Sequence, residues 1–179
     1  MRGVLRRRVL LALALGPPLA LSGCGWTPLY GEPASGPASE ELRAVRVEPI
    51  LERIGQRLQI ALRSSLNPIG EPTPERYRLR TTLVTGLSNL GIESQGLASL
   101  GKLDVYATYY LIDNKSGNTL LVNTVHVANS FNLNPNQYST VVGEDDAAVR
   151  SVAELNQEIV TRLTLFMERR LAEHPPAPS

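Results

Sequence analysis

Residues Arg76–Leu90 read RYRLRTTLVTGLSNL, and this stretch sets the architecture. Its side chains alternate with period two, the signature of a half-buried strand. Tyr77, Leu79, Thr81, Leu83, Thr85 and Leu87 fall on one face, and Arg76, Arg78, Arg80, Thr82 and Val84 on the other. One side therefore needs a cover and the other tolerates water. Downstream, Gly86, Gly91, Gly96 and Gly101 recur every fifth residue. The Gly-Lys-Ser/Thr ending of a phosphate-binding loop is missing. This region reads as the turn between two long strands. KLDVYATYYLIDN (Lys102–Asn114) is the next strand, NKSGN (Asn114–Asn118) a hairpin turn, and TLLVNTVHVANSFNLN (Thr119–Asn134) the return strand. Short links make these three strands antiparallel.

Upstream, LRAVRVEPI (Leu42–Ile50) is a short strand ended by Pro49. Leu51–Asn67 follows, with Leu51, Ile54, Leu58, Leu62 and Leu66 at helical spacing, and Asn67-Pro68 stops it. A long helix over Asp145–Ala172 closes the domain. Its apolar stripe is Ala148, Val152, Leu155, Ile159, Leu163 and Phe166. Asp145 and Asp146 suit its first turn, where the helix dipole favours negative charge. The order is β-α-β-β-β-α. Two amphipathic helices need one face of a sheet, so the expected fold is α+β: a two-layer sandwich with a mainly antiparallel four-stranded sheet, two helices on one face and the other face open.

The N-terminus carries a different signal. Arg2, Arg6, Arg7 and Arg8 form a basic head before the apolar run VLLALALGPPLAL. That order describes a secretory signal, and the run is too short for a membrane span of roughly 20 residues. Leu21-Ser22-Gly23-Cys24 ends it with the only cysteine of the chain. These four residues resemble the bacterial lipobox. The resemblance implies a diacylglycerol on the Cys24 thiol, cleavage just before it, and N-acylation (palmitate or a similar chain) of the new amino group. Gly25, in place of Asp, is compatible with sorting to the outer membrane. Two or more acyl chains make anchoring stable. The divisions are thus 1–23 signal peptide, 24–41 lipidated N-terminus and tether, 42–172 folded domain, and 173–179 tail. Within the tether, Trp26, Leu29 and Tyr30 suit either a membrane interface or a docking surface.

Composition narrows the function. Of 18 Lys and Arg, four lie in the signal, which leaves 14 against 17 acidic residues in a mature chain of 156. A net charge near −3 argues against nucleic-acid binding. No His/Cys cluster suggests a metal, and no cofactor is expected beyond the acyl groups on Cys24. His126 and His174 stand alone, and no Gly-x-Ser-x-Gly elbow exists, so the chain reads as a non-enzyme. Two surfaces remain. Arg76, Arg78 and Arg80, with Lys115 in the hairpin turn, are either a solvated face or a site for an anionic amphiphile. The strand pair Leu103–Leu133, with Tyr106, Tyr109, Tyr110, Asn123, Asn129 and Asn132, is polar, aromatic and weakly charged, as suits a surface enclosed by a larger partner.

CGWTPLYG (Cys24–Gly31) resembles the mature start of alphaproteobacterial LPS-assembly lipoproteins of the LptE type, and the element order fits the same family. The resemblance implies an outer-membrane lipoprotein facing the periplasm. It would plug the LptD β-barrel, assist barrel assembly and help deliver lipopolysaccharide to the surface. The partners implied are LptD, lipopolysaccharide and the membrane. The resemblance assigns no lipid contacts, so Arg76, Arg78, Arg80 and Lys115 are candidates from chemistry alone. The alternative is an auxiliary lipoprotein of an ABC-type lipid transporter.

Overall fold

The computed structural model describes residues 36–92 and 98–173. Cys24, the lipobox, the tether up to residue 35 and the tail from residue 174 lie outside the described residues. Three helices and four strands follow in order: α1 Pro37–Arg43, β1 Val45–Val47, α2 Arg53–Leu66, β2 Tyr77–Ile92, β3 Ala98–Asp113, β4 Thr119–Asn132 and α3 Gln137–Glu173. The sheet runs β1-β2-β3-β4, with β1 parallel to β2 and the other pairs antiparallel. This is the two-layer α+β sandwich expected, with one helix more.

The extra helix replaces the start of the expected first strand. Pro37 occupies the first turn, where its missing N–H costs nothing, and Ala38 and Leu42 are buried. The alternation read over Leu42–Ile50 survives only at Val45, Arg46 and Val47. Burial decides here: Leu42 packs as the last apolar residue of a helix. The helix also begins inside the segment assigned to the tether.

The glycine-spaced region narrows as well. Gly86 and Gly91 lie within β2 and Gly101 within β3, and the ladder continues through Asn89↔Gly101 to Ile92↔Ala98. Only residues 93–97, outside the described residues, remain between the strands. Gly101 serves packing: a Cβ there would stand 2.4 Å from the Phe131 ring that lies across it. At the opposite hairpin, Gly117 takes φ +72°, which suits glycine. The Asp113 carboxylate accepts the Lys115 and Ser116 N–H groups at 2.8 Å each.

The long helix begins two turns earlier than expected. Asn136 starts it: its side-chain oxygen accepts the Tyr138 N–H at 3.0 Å. Asp145 and Asp146 are therefore not first-turn residues. Asp145 accepts Arg57 of α2 at 2.8 Å and Asp146 pairs with Arg150 one turn on. They join helix to helix and turn to turn.

The core lies between sheet and helices. Leu58 and Leu62 of α2, Leu155, Ile159, Leu163 and Met167 of α3, and Leu79, Val105, Tyr109 and Leu111 of the sheet are at most 1% exposed. Each such aliphatic side chain contributes about 1.5–3 kcal/mol by leaving water. Ser151 is buried among them because its hydroxyl is occupied: it donates to Ala147 O at 2.8 Å and accepts Asn129 Nδ2 at 3.1 Å. Along β2 the cover runs out. Tyr77, Leu79 and Thr81 are buried, Leu83 is half-buried, and Thr85 and Leu87 on the same face are exposed.

Candidate functional site

The sheet face away from the helices is open, and the candidate residues divide there. By register Arg46 of β1 stands beside Arg78 of β2, two residues before Arg80. Each is held by neighbouring polar groups. Arg46 meets Glu75 at 2.7 Å. Arg78 donates to Asn114 Oδ1 at 2.6 Å and lies 3.7 Å from Glu48. Arg80 donates to the other Glu48 oxygen at 2.9 Å, which raises the guanidinium pKa further. Glu48 thus serves two arginines.

Arg76 leaves this row. It pairs with Glu41 of α1 at 2.7 Å, beside the Tyr77 hydroxyl that donates to the same carboxylate. Burial, then that hydrogen bond, pushes the Tyr77 phenol pKa up. Lys115 sits exposed in the β3–β4 turn with no ion pair among the described residues. The structure brings Arg78 and Arg80 together on Glu48 and places Lys115 next in sequence to the Asn114 that Arg78 touches. Sequence reading missed Arg46, hidden in a strand of three residues, and the acidic partners Glu48 and Glu75 from separate loops.

Further along the open face lies a polar aromatic cluster. Tyr106 and His126 stack with ring centroids 4.2 Å apart and planes at 9°. His126 Nε2 is 2.9 Å from Asp104, whose other oxygen meets Lys102 at 2.9 Å. Hydrogen bonding from Lys102, then from His126, holds the Asp104 carboxyl below its usual range. Thr108 and Thr124 share a hydroxyl hydrogen bond at 2.9 Å. The polar aromatic surface is narrower than the sequence suggests. Tyr109 and Asn129 face the core and are buried, and Asn123 points the same way and bonds Arg162. Among the described residues no three metal-ligating side chains cluster. No helix there is long and apolar enough to cross a membrane.

No family model matches this sequence, and no curated protein matches it significantly. Solved structures do. One is a candidate lipoprotein from Caulobacter crescentus, with TM-score 0.59 and 18% identity, covering 73% of this chain and 96% of that one. Another is an uncharacterised lipoprotein B from Nitrosomonas europaea, with TM-score 0.53 and 12% identity, covering 73% and 86%. The fold is shared with these two lipoproteins. At such identities, the likeness concerns fold alone.

Proposed function

We propose that this chain is an outer-membrane lipoprotein, acylated at Cys24, whose domain plugs the LptD barrel and assists lipopolysaccharide delivery. The observation that carries this reading is a lipobox cysteine ahead of a domain whose fold is shared with lipoproteins. The acyl chains hold the domain at the periplasmic leaflet. The open sheet face carries Thr82, Tyr106, Thr108, Thr124 and His126 beside the Lys102–Asp104 pair, and such polar groups suit the polar interior of a barrel. Copurification from crosslinked membranes tests the reading. A heat-modifiable outer-membrane barrel in the complex supports it. An inner-membrane permease with its ATPase would establish the transporter lipoprotein instead.

The arginine row gives a second handle. Lipid phosphates reaching Arg78 and Arg80 compete with Glu48 for the same guanidinium hydrogens. Arg78→Glu with Arg80→Glu weakens lipopolysaccharide binding in this account. Glu48→Gln removes the competing charge and tightens it roughly three- to tenfold, the equivalent of about one ordinary hydrogen bond. Unchanged binding by both folded variants would retire the row as a lipid site.

A further inference from the structure

The sheet has two free edges, and the fold treats them differently. At β4, α3 reaches across the outward backbone. Arg162 donates to Thr124 O at 3.3 Å and Arg150 to Ser130 O at 3.0 Å. The Asn123 side chain accepts the Thr124 N–H at 2.8 Å. Charged side chains on an edge are how folded proteins prevent unwanted strand pairing.

Among the described residues the edge of β2 lacks that protection. β1 pairs with only three of its residues, Tyr77 to Leu79, and the last bond is Glu48 N–H to Leu79 O at 3.0 Å. From Thr81 onward no strand among the described residues lies on that side. Backbone direction alternates along an antiparallel ladder. Thr81, Leu83, Thr85, Leu87 and Asn89 therefore aim their N–H and C=O groups outward, as Leu79 does. The segment TTLVTGLSNLGI (Thr81–Ile92) holds no charge and no proline. Val84, Leu87 and Leu90 stand in water, on both faces between them, with Val84 67% and Leu87 57% exposed.

We infer that this bare edge pairs with the same edge of a second copy, antiparallel and centred on Thr85. The sequence is self-complementary in that register. Leu83 of one copy faces Leu87 of the other on the helix side, twice over. Thr85 faces Thr85, a favourable cross-strand pair. On the open side Val84 faces Gly86, which leaves it room. Charge permits the pairing, because the two Arg80 side chains end roughly 30 Å apart at 3.4 Å per residue. The paired window, Thr81 to Asn89, stops short of β1; beyond it Gly91 and Ile92 of each copy fall opposite Leu79 and Arg78, where β1 already pairs, so the two strand ends must splay away from the ladder. A β4 pair centred on Val127 would instead bring Arg162 of one copy against Arg150 of the other. This inference does not depend on the function proposed above.

The test uses the full chain in mild detergent with Cys24→Ser, so that no other thiol is present. Thr85→Cys places two thiols on directly paired residues about 5.5 Å apart at Cα, within disulfide reach. Oxidation is expected to link most of the chain into dimers. Ser130→Cys, on the guarded edge, stays single, and Thr85→Lys abolishes the dimer in light scattering. A Thr85→Cys chain that stays single, one that links to a different protein when oxidised in membranes, or equal linking by Ser130→Cys overturns the inference.

Discussion

The two ends of the sheet differ more than any two elements do. Around the β3–β4 turn, charges are dense and compensated. Arg46 meets Glu75, Arg76 meets Glu41, Arg78 and Arg80 share Glu48, and Asp113 closes the turn. Helices α1 and α2 cover that end. Toward the β2–β3 hairpin, the charge of the sheet thins to the Lys102–Asp104 pair: residues 119–143 contain no Lys, Arg, Asp or Glu, and residues 81–101 contain only Glu93. There Leu87, Leu90, Leu100, Tyr138, Val141 and Val142 are exposed. One end is a closed structural root. The other has surface to give to a partner. The contrast shows that exposure is set by the helices above the sheet, because Leu79 and Leu87 are the same residue on the same face of one strand.

Truncation along β2 tests this most strongly. Leu79→Ala, at the root, is expected to cost about 3 kcal/mol, as buried leucines do, whereas Leu87→Ala costs under about 1 kcal/mol. Denaturant unfolding reads both, and equal losses would erase the distinction between the ends. Next comes Gly101→Ala. The added methyl meets the Phe131 ring, and the overpacking is expected to cost about 2 kcal/mol. Pairing it with Phe131→Leu should recover part of that loss, which shows whether the neutral end holds its own packing.

Smaller effects sharpen the comparison at the guarded edge. Arg150→Ala and Arg162→Ala each remove hydrogen bonds to a β4 carbonyl, worth about 1 kcal/mol per residue. The double variant should also self-associate through β4 in sedimentation, as an unguarded strand does. The smallest change is Asp113→Ala at the root, about 0.5 kcal/mol at neutral pH for this exposed turn. The Ser116 backbone N–H, with help from Lys115, holds the Asp113 carboxyl below its ordinary value of 3.8. Its contribution is complete well above that value and is lost as pH falls through the lower folded pKa. Wild-type and variant stability should therefore converge once the pH lies well below 3.8.

Much of this was legible in the sequence. Period two over Arg76–Leu90 and the NKSGN turn gave strands and pairing, since alternation and turn chemistry are local. The helix at Pro37–Arg43 was hidden because it is short and its cover, α3, lies more than a hundred residues away. The true start of α3 was hidden because Asp145 and Asp146 suit a first turn so well, while the real cap, Asn136, sits in a polar run without periodicity. For the candidate site, the arginines were visible and their restraint was not. Whether Arg78 and Arg80 are free depends on Glu48, which only the parallel pairing of β1 brings beside them.

The central claim is that the open sheet face lies against an outer-membrane barrel. A photocrosslinking residue at Tyr106, in the native acylated chain in cells, tests it directly. Tyr106 is 43% exposed at the middle of that face. The account predicts a covalent adduct with a heat-modifiable β-barrel of the outer membrane. An adduct with an inner-membrane permease, or none from a chain that is folded and anchored, would contradict it.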